Sequence, residues 1–146
     1  MLIYAKDPGA YDLHKAHHLD AGFDISCCET VEIPPHQICL IDTGIHLGIK
    51  PWQIAFIHPR SSTMTSGLLV GTGVIDAGYL GSVKIQTFNL TDEPITVTKG
   101  RRLAQIVVQN NSEYIQPANL VSLEDLINAK NELDTRGING FGSSGL

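Results

Sequence analysis

The sequence predicts an all-β fold, a sandwich or barrel of many short strands. Two observations predict it. Short apolar, β-branched runs recur along the chain, as in FDISCC (23–28), QICLIDTGIHL (37–47), QIAFIHP (53–59), SVKIQTFNL (82–90), PITVT (94–98) and RLAQIVVQ (102–109). Turn signals punctuate them, at Pro34-Pro35, Thr43-Gly44, Lys50-Pro51 and Asp92-Glu93-Pro94.

SVKIQTF shows the clearest period of two. Val83, Ile85 and Thr87 share one face, and Lys84, Gln86 and Phe88 the other. One short helix is expected to begin at Ser61-Ser62, after Pro59-Arg60. A second is expected over SLEDLINAK (122–130), where Ser122 and Asp125 have capping-box spacing and Leu123, Leu126 and Ile127 form an apolar stripe. Residues 133–146 carry no periodicity and four glycines in the last ten positions, the pattern of a mobile tail. No repeat or interdomain linker divides the rest.

Composition sets bounds on function. At 42% hydrophobic and 17% charged, the 146 residues supply one core and too little charge for disorder. A net charge of −5 argues against nonspecific nucleic-acid binding, which needs a basic face, but not against a small polyanion held by a few arginines and a metal. No apolar run approaches the ~18 residues of a membrane span, and the N-terminus is charged where a signal peptide is apolar. A cytoplasmic or nuclear protein is expected. Cys27, Cys28 and Cys39 are then reduced thiols.

Five segments carry chemistry: AGFDI (21–25), PRSS (59–62), GVIDAGYLG (73–81), GRRLAQI (100–106) and RGINGFGSSG (136–145). In this order and spacing they resemble the five motifs of the trimeric dUTPase family, from about residue 20 to the end. The resemblance implies a distorted jelly-roll β-barrel over residues 1–133 and a mobile arm, 134–146, that closes the active site. It implies hydrolysis of dUTP to dUMP and pyrophosphate, which keeps uracil out of DNA and supplies dUMP for thymidylate synthesis. It also implies Mg²⁺ and a homotrimer with shared active sites, the arm coming from a third subunit.

In GVIDAGYLG, glycines let a hairpin backbone approach a ligand closely. Uracil offers acceptors at O2 and O4 and a donor at N3. Fixed main-chain groups of Gly73, Val74 and Ile75 that match this pattern mispair with cytosine, at about 1–3 kcal/mol per unsatisfied group. By resemblance, Tyr79 packs under the deoxyribose and excludes a 2′-hydroxyl. Asp76 matches the family's catalytic acid, which holds the water that attacks the α-phosphorus. Mg²⁺ would be held mainly by phosphate oxygens and waters, with no direct protein cage.

PRSS supplies Arg60, Ser61 and Ser62 for phosphate, Ser62 also donating toward the leaving oxygen; Arg60 is either a phosphate ligand or a tie to a nearby acid. By resemblance Asp24 belongs to the core of the site and positions Arg60 or metal-bound waters; the residues alone fit a purely structural Asp equally well. Gln105 matches the family glutamine near the phosphates and the attacking water. In the tail, Arg136 suits the γ-phosphate, Gly142, Ser143 and Ser144 a phosphate nest, and Phe141 the uracil face.

Several positions depart from the family. Arg101 stands where aspartate is common, and faces either a polyanion or solvent. Gly78, Leu80 and Ser82 replace residues that are often Asp, Arg and Glu. Histidines 14, 17 and 18 read as a solvated loop, and His58 as a strand residue near the phosphates. A dCTP deaminase shares the implied fold but needs a glutamate ten residues past the acid, where this chain has Gln86. A structural jelly-roll protein gives the five segments no reason to be ordered. A regulatory protein partner remains open, since binding surfaces need no motif.

Overall fold

The computed structural model of the chain describes residues 2–111. Among them are eleven strands and one helical turn: β1 (Ile3–Lys6), β2 (Phe23–Ser26), β3 (Val31–Ile33), β4 (Ile38–Asp42), β5 (Ile45–Gly48), β6 (Gln53–Pro59), α1 (Ser61–Met64), β7 (Leu68–Val70), β8 (Gly73–Ile75), β9 (Lys84–Asn89), β10 (Ile95–Val97) and β11 (Arg102–Asn110). The expected helix over 122–130 and the arm 134–146 lie outside the described residues.

The alternation read in SVKIQTF is that of β9. Val83, Ile85 and Thr87 are buried, Lys84 and Gln86 face water, and Phe88 is half-buried. The run 37–47 is broken into β4 and β5 at Thr43-Gly44. Gly44 adopts φ +62°, and a Cβ there would stand 2.8 Å from that of Ala10. The backbone therefore favours glycine and the neighbour demands it.

Every strand pairing is antiparallel. Strands β2, β11, β6 and β8 lie side by side in that order, and β4, β9 and β7 form a second sheet. The ribbons β1–β5 and β3–β10 complete the set. One core joins them. Ile25, Ile57 and Ile106 come from the first sheet, Ile41, Ile85 and Leu68 from the second, and Ile33, Val97, Ile45 and Leu47 from the ribbons. Burying each contributes about 1.5–3 kcal/mol. The result is the all-β, jelly-roll-like fold expected.

Buried polar groups tie the strand ends. The Asn89 amide donates to the Ile33 and Glu93 carbonyls and accepts from Thr91, which secures β9 to the β3–β10 ribbon. The cysteines are free, with Cys27 buried and its thiol donating to the Thr98 carbonyl. No helix among the described residues is long and apolar enough to cross a membrane.

Candidate active site

Among the described residues, strand β8 ends its sheet and pairs only with β6, as Ala55↔Ile75, Phe56↔Val74 and Ile57↔Gly73. An edge strand leaves alternate N–H and C=O groups unpaired along its free side. That strand lines a cleft of about 230 Å³ together with Ile57, Asp76, Tyr79, Val83 and Lys84. The sequence-predicted group Gly73, Val74, Ile75, Asp76 and Tyr79 is thus brought together around one concavity. A Cβ on Gly73 would meet Ile57 at 3.7 Å, an ordinary contact, so packing within the chain does not demand glycine there.

A tight turn follows β8, closed by the Tyr79 N–H on the Asp76 carbonyl at 3.0 Å. It leaves the Asp76 side chain exposed at the edge of the cleft. Among the described residues its carboxylate has no ion-pair partner. Tyr79 turns back on the chain, its hydroxyl donating to the Ser82 carbonyl at 2.9 Å. Ser82 Oγ donates to Asp42, which also accepts from the Gly44 N–H at 3.0 Å and from Lys84 Nζ at 2.7 Å. Burial alone would raise the Asp42 pKa. Those hydrogen bonds and the Lys84 charge outweigh it and hold the carboxyl well below the usual carboxylate range. Of the positions expected to depart from the family pattern, Leu80 is 74% exposed and Ser82 is bonded to Asp42.

A second cluster is built on Asp24. Its Oδ1 pairs with Arg60 Nε at 2.8 Å and its Oδ2 with Arg102 Nη1 at 3.1 Å, while Arg60 Nη1 donates to the Arg102 carbonyl. Of the two roles open to Asp24, the structure supplies the tie to Arg60. Arg102 is a partner that the sequence did not single out. Its only signal was a second arginine beside Arg101. Arg101 itself contacts neither a described acid nor the cluster, and donates to the Ser66 hydroxyl at 3.1 Å.

The register explains why these residues meet. Asp24 in β2 faces Gln105 in β11, and Gln105 faces His58 in β6. Directly opposed residues share a face of the sheet, so the three stand in a row. Gln105 donates to the Pro59 carbonyl at 3.3 Å, and a Cβ on Gly22 would meet the Gln105 amide oxygen at 3.0 Å. His58 stacks on Phe56 with ring centroids 5.9 Å apart. Just past β6, Thr63 anchors the helical turn by donating to the Leu103 carbonyl, while Ser61 and Ser62 stay exposed beside Arg60.

The two clusters do not meet within one chain. Asp76 lies one residue beyond the Ile75↔Ala55 pair, level with Ile54, whereas Arg60 lies past the opposite end of β6. Six residues of strand separate them, about 20 Å at ~3.3 Å per residue. Arg136, Phe141, Gly142, Ser143 and Ser144 lie outside the described residues.

A cleft of about 230 Å³ on an edge strand, with an aromatic wall, a carboxylate unpaired among the described residues and a separate arginine–serine cluster, places the chain among jelly-roll-like proteins whose surface suits a small polyanionic ligand. Comparison with known proteins narrows the class. Residues 10–145 match the dUTPase family model. The chain is 36% identical, over 99% of its length and 94% of the relative's, to the deoxyuridine 5′-triphosphate nucleotidohydrolase of Mycobacterium marinum, and 38% identical over the same shares to that of Mycolicibacterium gilvum. The Staphylococcus bacteriophage 80alpha dUTPase, solved with dUpNHpp, superposes with a TM-score of 0.78 at 26% identity, over 100% of this chain and 99% of that one. The chain belongs to the dUTPase family.

Proposed function

We propose that the chain hydrolyses dUTP to dUMP and pyrophosphate, with Asp76 holding the water that attacks the α-phosphorus. The observation that carries this is the cleft itself. A strand edge and a carboxylate, both without a partner among the described residues, line one concavity of about 230 Å³ with the Tyr79 ring.

Uracil lies against the outward main-chain groups of Gly73–Ile75, which match its acceptors and donor and mispair with cytosine. Tyr79 packs under deoxyribose and leaves no space for a 2′-hydroxyl. Asp76 accepts a hydrogen bond from water and aims its oxygen at the α-phosphorus. A P–O bond forms to that oxygen, the bond to the α–β bridging oxygen breaks, and the water's proton passes by way of Asp76 to solvent. Arg60, Ser61, Ser62 and Gln105 bind the phosphates and stabilise the departing pyrophosphate, joined by Arg136, Gly142, Ser143 and Ser144 from the arm, with Phe141 over the base.

Mg²⁺ fits this donor set as an ion carried on the triphosphate. Asp24 spends one lone pair per oxygen on arginine and keeps others for a metal-bound water. When bound, the ion withdraws charge from the phosphates.

Sharing of sites between copies in a homotrimer is part of this reading: the separation of the two clusters supports sharing, and the trimer rests on the family resemblance. One triphosphate is too short to bridge about 20 Å of strand. The Asp76 of one copy therefore serves the Arg60–Gln105 cluster of another.

Pyrophosphate release from dUTP tests the reading, with dCTP, dTTP and UTP as controls and EDTA added last. Turnover of dUTP alone, abolished by EDTA and reduced by about 10²–10⁴-fold in Asp76→Asn with nucleotide binding retained, supports it. Equal turnover of the four nucleotides would refute it.

A further inference from the structure

His46, on β5, stands between two acceptors. Its Nδ1 is 2.8 Å from the Leu80 carbonyl oxygen, and its Nε2 is 3.2 Å from a carboxylate oxygen of Asp7. A carbonyl and an ionised carboxylate only accept, so each contact requires an N–H on the ring. Neutral imidazole has one N–H and imidazolium has two. Only the cation makes both bonds.

The two acceptors belong to different parts of the molecule. Asp7 follows β1 and is fixed by its own N–H on the Gly44 carbonyl at 2.8 Å. Leu80 follows Tyr79, the aromatic of the cleft. The Leu80 side chain is 74% exposed, so the hold on this residue runs through its main chain. On the far side the turn is held by Ser82 on Asp42.

We propose that His46 is a positioning residue for the nucleotide cleft: its imidazolium braces the Tyr79-Leu80 turn against Asp7, and loss of one ring proton slackens the turn and weakens nucleotide binding. This rests on the reading of the cleft as the nucleotide site.

The charges around the ring favour the cation. Asp7 faces it from the end of β1 and Asp42 from β4. Lys84 of β9 is engaged by Asp42, Lys6 of β1 by Asp12, and the Tyr79 hydroxyl by the Ser82 carbonyl. The Leu80 carbonyl and then Asp7 hold the His46 pKa above its ordinary value, against the opposing effect of burial. A raised folded-state pKa means that the brace is complete below the ordinary histidine value. It is lost as pH rises through the raised one.

The experiment measures kcat and KM for dUTP against pH on the full-length assembled protein, as wild type, His46→Gln and Asp7→Asn. The glutamine side chain would keep a donor to the Leu80 carbonyl but cannot titrate. The wild-type KM is expected to rise about fivefold from about pH 6 to about pH 9, with kcat nearly constant. The ratio of wild-type to His46→Gln KM cancels the titration of substrate and metal. In parallel, NMR of the ligand-free protein follows the His46 ring and the Tyr79 and Leu80 amides. The amides should shift with the ring's midpoint, and Asp7→Asn should lower that midpoint. Parallel KM profiles for wild type and His46→Gln, or amides that ignore the ring titration, would overturn the proposal. The NMR measurement needs neither turnover nor a folded His46→Gln. Coupled amides in a protein that fails to hydrolyse dUTP would sink the functional reading while leaving the brace standing.

Discussion

The Tyr79 ring lies directly over Gly81. A Cβ on Gly81 would stand 2.5 Å from the Tyr79 hydroxyl oxygen and 2.7 Å from Cζ, closer than side chains approach. Gly78, three positions earlier, has no atom of the described residues within 4 Å of where its Cβ would be and no positive φ. The two glycines of one turn therefore carry different constraints. Gly81→Ala should push the ring off its bond to the Ser82 carbonyl and open the sugar side of the cleft. The ratio of kcat/KM for dUTP over UTP is expected to fall about tenfold or more. Gly78→Ala should leave that ratio unchanged and stabilise the fold by about 0.4–1 kcal/mol through the unfolded chain. Steady-state kinetics on both nucleotides and a denaturant titration check the pair.

Asp24 holds Arg60 and Arg102 at once, with its side chain 17% exposed. Asp24→Asn keeps the shape and removes the charge, so two guanidinium groups lose their counter-ion. Stability is expected to fall by about 2 kcal/mol. Misplacement of Arg60 by about 1 Å should lower kcat/KM by about 100-fold. A crystal structure of the variant with Arg60 unmoved and activity retained would assign Asp24 to the frame alone.

Much of this was legible in the sequence, for physical reasons. The period of β9 shows because one face of that strand is buried and the other carries Lys84 and Gln86 in water, with Phe88 half-buried. The turn at Gly44 shows because φ +62° favours glycine and a Cβ there would crowd Ala10. The groups around the cleft are neighbours in sequence, so GVIDAGYLG carried them together. Strands β1, β3 and β7 have only three or four residues, too few to establish a period. Arg102 as partner of Asp24, and Asp42 as support for Ser82, depend on registers between strands distant in sequence. No local pattern encodes a register. The separation of Asp76 from Arg60 is of the same kind, since it emerges only once β8 is paired with β6.

Asp42 gives the fold an acid-sensitive contact. Its folded-state pKa is depressed by Lys84, Ser82 and the Gly44 N–H, so the unfolded chain binds the proton more readily. The contribution is full above the unfolded aspartate value, about 3.9, and is lost progressively as pH falls below it. Asp42→Asn should lower Tm at neutral pH. Its Tm should also fall less steeply than that of the wild type from about pH 5 to about pH 2.5. Parallel Tm curves for the two proteins would show that the Asp42 contacts contribute nothing net.

The opposite placement of Asp76 and Arg60 along β6 makes a prediction about mixtures. Asp76→Asn and Arg60→Ala should each be nearly inactive alone, for each removes one half of every site. If the halves come from different copies, a mixed assembly contains sites that join the intact Asp76 of one variant to the intact Arg60 of the other. Random mixing in equal amounts should restore roughly a quarter of wild-type activity. The variants must be co-expressed or refolded together, so that subunits assort. Mixing preformed assemblies should restore little at first and more as subunits exchange. If co-assembled variants stay as inactive as either parent, one chain must supply both groups. The strand register would then have to break in the nucleotide-bound state.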